Sequence, residues 1–283
     1  MSSVKCVMSV ATVGLALSYP VLSARPALAQ VPSNPQVEIV YARPRAANLQ
    51  AVANRLKNRR VLEEFAQFML PLKLPTTLTV QFDQCGGDAR LYEPGEPATI
   101  CYELVDQIEK IAAKSPDDGE MMLAGAVTQA VFHAVANAVF DILDVPIWGR
   151  REDAADRLAG FLMVELGADL AYWTIVGTAS FFQDSGKTWT GSQFAEASSP
   201  EAQRYYNYLC MAYGGDRVKF EYLAAQPDDK SKEPFLPKDR ADQCRDEYTQ
   251  VRSAFNLRIM PYVDPDLLVQ VRATKWAVSS RRK

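Results

Sequence analysis

Apolar and polar residues alternate with period two over Val37-Glu38-Ile39-Val40-Tyr41 and again from Thr77 to Phe82. Successive side chains of a strand point to opposite faces, so both stretches read as strands with one buried face. Ala89 to Tyr92 and Ala98 to Cys101 read as two arms of a hairpin around Glu93-Pro94-Gly95-Glu96-Pro97, where Pro and Gly favour a turn. From Ala47 to Leu70 the spacing is helical instead. Leu49, Val52, Leu56, Val61 and Phe65 share one face, and Arg55, Lys57, Arg59 and Arg60 turn to water. Pro71 and Pro75 close that helix.

Helical periodicity dominates the rest. Segments are predicted over 102–113, over 120–143, and from Arg151 to about Leu170 with continuation toward Phe182. A Ser-, Gly- and Thr-rich loop over 183–200 precedes helices at 200–213, 218–225 and 237–257. The expected fold class is α+β, a small N-terminal sheet with a hairpin packed on a mainly α-helical domain. After the N-terminus no stretch is expected to reach the apolar length of a membrane span.

Residues 1–29 have the form of a secretory signal. Lys5 supplies a positive start, Cys6 to Leu22 is mostly apolar, and Ala27-Leu28-Ala29 is a small-x-small cleavage site. Residues 30–283 then form one domain with a strand- and hairpin-rich part (37–113), a central helical part (120–182) and a C-terminal helical part (200–260). The expected location is periplasmic or secreted. Four cysteines remain beyond the signal, Cys85, Cys101, Cys210 and Cys244. An even count in an oxidising compartment favours disulfides, and four cysteines allow three pairings. Proximity in sequence suggests Cys85–Cys101 and Cys210–Cys244. The net charge is −3 and no Lys/Arg run is dense enough to track phosphates, which argues against nucleic acid as a partner.

Two helical segments carry the candidate chemistry. His133 and Asn137 lie four apart on the first, and Glu152 and Asp156 four apart on the second, so each pair faces one way. Two antiparallel helices joined by a short loop can bring those faces together. His133 is the one histidine in the chain, so any Ser-His, Cys-His or His-metal chemistry passes through it. Taken alone, His133, Asn137, Glu152, Asp153 and Asp156 more often have a structural role: buried polar groups are normally hydrogen-bonded, and acids in a helix's first turn are favoured by its dipole.

Several motifs together resemble a bacterial secreted family of metallopeptidase-like proteins of otherwise unknown function. They are Cys85 with Cys101-Tyr102-Glu103-Leu104, Phe132-His133, Asp144-Val145-Pro146-Ile147 with Gly149-Arg150, Glu152-Asp153-Ala154-Ala155-Asp156, and Gln203-Arg204-Tyr205-Tyr206-Asn207 with Cys210 and Tyr213-Gly214. The resemblance spans most of residues 37–257. It implies a zincin-like, gluzincin-type catalytic region, in which His-Glu-x-x-His on one helix and Glu-x-x-x-Asp on a later one assemble a zinc site. Here His133 and Glu152 would be metal ligands and Asp156 would orient His133.

The departures decide what to expect. Ala134 stands at the general-base glutamate and Asn137 at the second histidine, so the motif reads His-Ala-x-x-Asn. Asn137 is at most a weak ligand, and Asp153 or Asp156 is the candidate for completing a set. Proton transfer by such a base contributes roughly 10²–10⁴-fold, and Ala134 supplies none of it. Zinc, implied by the resemblance, is expected to bind weakly or not at all. Three functions follow: an inactive exported pseudoenzyme that binds a peptide or protein partner, a working zinc peptidase with an atypical ligand set, or a structural envelope protein.

Overall fold

Three strands, β1 (Val37–Tyr41), β2 (Leu78–Asp83) and β3 (Ala98–Cys101), lie side by side in that order and all run parallel. Val37 pairs with Leu78 and Val80 with Ala98. The computed structural model describes residues 36–87, 91–186, 191–226 and 234–274, which belong to one unit spanning Pro32–Lys283. The proposed signal at 1–29 lies outside the described residues.

The alternation of β2 is realised: Leu78, Val80 and Phe82 are buried and the residues between them are not. The hairpin is not. Leu91 and Tyr92 are in no strand, Ala89 and Arg90 lie outside the described residues, and β3 pairs in parallel with β2. Pro94 and Gly95 do make a turn, closed by Glu96 N donating to Glu93 O at 3.1 Å, but β3 then runs in the same direction as β2, so the turn closes no antiparallel pair.

The helix expected over 47–70 is two, α1 (Ala47–Asn58) and α2 (Val61–Phe68), divided at Arg60, whose φ is 55°. Lys57, Asn58, Arg59 and Arg60 form a full polar turn, so no core contact holds the helix through that point. Tyr41 takes up one of the resulting free donors: its hydroxyl accepts from Leu62 N at 2.8 Å and donates to Glu63 at 2.8 Å.

Following α3 (Tyr102–Ala112), the central helix α4 (Gly119–Ile142) runs through the core. By length and composition α4 could cross a membrane, which corrects the expectation that no such stretch exists. Its most apolar window is 72% buried within the protein, as befits a core helix. Helix α5 (Arg151–Glu165) returns beside it and stops before Gly167, whose φ of +98° suits glycine alone. The continuation expected toward Phe182 is broken into α6 (Ala168–Ala171), a π-helical turn (Tyr172–Val176) and α7 (Gly177–Ser185). The backbone of α4 comes so close to this turn that a Cβ on Gly177 would sit 2.0 Å from the Met121 carbonyl oxygen.

Helices α8 (Glu201–Gly215) and α9 (Lys238–Arg258) complete the helical layer, and α10 (Pro265–Ala273) follows. The helix expected over 218–225 is only a 3₁₀ turn at Glu221–Leu223. Disulfides join Cys85 to Cys101 and Cys210 to Cys244, the pairing that proximity suggested. The first ties the end of β3 to the loop after β2. The second ties α8 to α9.

Candidate functional site

Polar residues recur every four positions along the mainly apolar α4, at Gln129, His133 and Asn137. Four residues make slightly more than one turn, so the three side chains stack on one face, toward α5. On α5, Glu152 and Asp156 face back. His133 stands between them: Nε2 is 2.7 Å from Glu152 Oε2 and Nδ1 is 2.8 Å from Asp156 Oδ1. The two ring nitrogens point in opposite directions, so the carboxylates flank the imidazole and do not converge on one point.

Asp156 is the most heavily bonded group of the cluster. It is 4% exposed and receives Gln129 Nε2 at 3.0 Å, Tyr208 Oη at 3.1 Å, and Arg204 Nε and Nη2 at 2.6 and 2.9 Å. The Arg204 guanidinium also stacks on Phe182, 4.1 Å from the ring centroid. Burial alone would push the Asp156 carboxyl up. Arg204 beside it, with the His133 hydrogen bond, instead holds it well below the usual carboxylate range. Glu152 is lowered as well, because the hydrogen bond and charge of His133 outweigh its burial.

The imidazole responds in the opposite sense. Burial disfavours its charge, yet the hydrogen bonds to Asp156 and Glu152 raise its pKa to about 9. His133 is therefore an imidazolium at neutral pH, and both nitrogens donate. With Arg204 it balances the two carboxylates, so these four groups, His133, Arg204, Glu152 and Asp156, are neutral together. That is the arrangement least costly to bury.

Asn137 is turned the wrong way for a ligand. Its Oδ1 accepts from Arg151 Nε at 3.1 Å, while its Nδ2 lies 3.4 Å from both Glu152 oxygens. Arg151 also donates to the Asn137 carbonyl at 2.6 Å. Of the two acids considered as a third donor, Asp153 accepts from Ser199 N and Oγ at 2.8 and 2.9 Å, and Asp156 lies on the far side of the imidazole. Ala134 presents only a methyl group to the adjoining cleft.

The cleft itself is about 170 Å³. Ile100 of β3, Leu104 and Ile108 of α3, and Phe181 of α7 line it, with His133, Glu152 and Arg204 as its polar floor. Among the described residues, β3 pairs only with β2, so its other edge is unpaired toward this side.

A family model described as "Putative metallopeptidase" matches residues 41–257. The chain belongs to that family. No curated protein and no solved structure matches it. Membership in a metallopeptidase family implies a metal, so the donor set has to be tested against one. A catalytic zinc needs three protein ligands and an open position. Here Nε2 of the imidazole is 2.7 Å from Glu152 Oε2, and the third position, Asn137, turns an amide N–H toward Glu152 with its oxygen held by Arg151. Among the described residues no group of three or more His, Cys, Asp or Glu side chains is arranged to hold a metal ion. The residues present do not fit a catalytic zinc centre.

Arg204, Tyr208, Gln129 and Arg151 were not singled out from sequence as members of this cluster. Gln129 did carry a signal, a polar residue one turn before His133 on an apolar helix. Arg204 and Tyr208 are a helical turn apart on α8 and reach Asp156 across 48 and 52 residues of chain. Only the packing of α8 on α5 shows that.

Proposed function

We propose that this member of the metallopeptidase family is an exported pseudoenzyme that binds an extended peptide segment in its cleft without cleaving it. The observation that carries this is the double engagement of His133, bonded to Glu152 on one side and to Asp156 on the other. Asn137, in the place of a second histidine, holds its oxygen on Arg151 and presents an N–H to Glu152, so that position offers no lone pair to a metal. The absence of a carboxylate at Ala134 removes the group that would accept a proton from water. The unpaired edge of β3 beside the cleft suits an extended peptide, which adds to a sheet through main-chain hydrogen bonds. The two disulfides favour an oxidising compartment, in keeping with the signal-like N-terminus.

Restoring the two missing groups tests this. The double variant Ala134→Glu, Asn137→His supplies the base and the third ligand together. It is expected to bind one zinc per chain and to hydrolyse unstructured peptides, whereas the natural chain does neither. Cleavage by the natural chain that is abolished by His133→Ala would refute the proposal.

A further inference from the structure

Between α8 and α9 lies an open hollow of about 390 Å³, within the 300–1,000 Å³ typical of small-molecule sites. Gln203, Tyr206 and Asn207, at helical spacing on α8, face it. Arg240 and Glu247, two turns apart on α9, form the opposite wall, and Arg157 of α5 closes one end. We infer that this hollow binds a pyranose sugar bearing a carboxylate.

The walls are held in place before any ligand arrives. The Cys210–Cys244 disulfide joins the two helices with their Cα atoms 4.9 Å apart. Arg240 donates to Glu247 Oε1 at 2.6 Å and Oε2 at 3.0 Å, and also to Asn207 Oδ1 at 3.2 Å. Asn207 therefore keeps its Nδ2 donors pointed by a fixed oxygen. Tyr206 is 38% exposed, and its ring is braced edge-on by Tyr205 at a centroid distance of 4.9 Å.

The chemistry of this set narrows the ligand. A pyranose has a C–H face that packs on an aromatic ring and a rim of hydroxyls that each donate and accept. Tyr206 offers the ring. Gln203 and Asn207 offer carboxamides, which are planar groups carrying donors and acceptors side by side. A purely apolar ligand would leave these unpaired, and a simple anion would need neither carboxamide nor ring. The carboxylate follows from charge. Glu247 is the one carboxylate of the lining and serves two guanidiniums: Arg240 bonds both its oxygens, and Arg157 Nη2 makes only a long ion pair with it at 4.0 Å. The lining thus carries one positive charge in excess, on a fork-shaped donor that matches a carboxylate.

The experiment is a titration of the full chain, followed by heteronuclear NMR, with D-galacturonate, D-galactose and benzoate. Galacturonate is expected to bind with a millimolar dissociation constant and to shift the resonances of Gln203, Tyr206 and Asn207. Galactose, lacking the charge, should bind about tenfold more weakly. Tyr206→Ala should abolish binding and Tyr206→Phe should keep it within about twofold, since the ring, not the hydroxyl, is used. Arg157→Gln should bring the two sugars to the same affinity. No shifts at these residues up to tens of millimolar, equal binding of galactose to the natural chain, or benzoate binding as tightly as galacturonate would each overturn the inference.

Discussion

Replacing Asp156 by alanine removes the one acceptor on which four side chains converge. Arg204, whose side chain is 17% exposed, then remains buried as a cation with no carboxylate partner, and His133 loses its Nδ1 acceptor. Gln129 and Tyr208 lose theirs as well. Breaking a buried ion pair from one side costs about 3–5 kcal/mol, because the surviving charge is left uncompensated. For a domain of this size, each kcal/mol lowers the melting temperature by about 2–4 °C, so a fall of about 6–20 °C is expected. The measurement is equilibrium unfolding in urea at neutral pH, with circular dichroism on the natural chain and the variant. Asp153→Ala is the control. That acid holds only the backbone and hydroxyl of Ser199, so its loss should cost about 1 kcal/mol. If Asp156→Ala costs no more than Asp153→Ala, the cluster is not the neutral, mutually satisfied unit derived above.

Stability should also depend on pH through His133. Its folded pKa is raised from 6.5 to about 9, so the stabilisation is fully present below pH 6.5 and is lost as pH rises through about 9. The difference corresponds to about 3 kcal/mol, and a natural chain no more sensitive over that window than His133→Gln would contradict it. In ¹⁵N NMR at pH 7.5, both imidazole nitrogens of His133 should carry protons; a single protonated nitrogen would show a neutral ring. At the contact between α4 and the π-helical turn, Gly177→Ala should destabilise by about 3 kcal/mol in urea unfolding, since its Cβ would meet the Met121 carbonyl oxygen. A neutral effect there would mean the two backbones can separate at little cost.

Much of this was legible in the sequence, and the limits have physical causes. The i, i+4 spacing of His133 with Asn137 and of Glu152 with Asp156 brought both pairs to facing sides of α4 and α5, because the helical repeat fixes direction within an element. Cysteine proximity gave the disulfides. The break at Arg60 was missed because the apolar stripe resumes in phase at Val61, hiding the polar turn between. The direction of β3 was misread because alternation reports a buried face and says nothing of which neighbour a strand joins. The π-helical turn left no periodic trace over its five residues. Arg204, the cation that neutralises Asp156, lies on a helix whose contact with α5 is wholly tertiary.

Zinc content is the most direct test of the closed site. The natural chain, dialysed against buffered free zinc at nanomolar activity and assayed by mass spectrometry, should retain far less than one equivalent, and His133→Ala should retain no less. One equivalent of zinc in the natural chain, lost in His133→Ala, would show that the imidazole gives up its bond to Glu152 for a metal, and that the site is open after all.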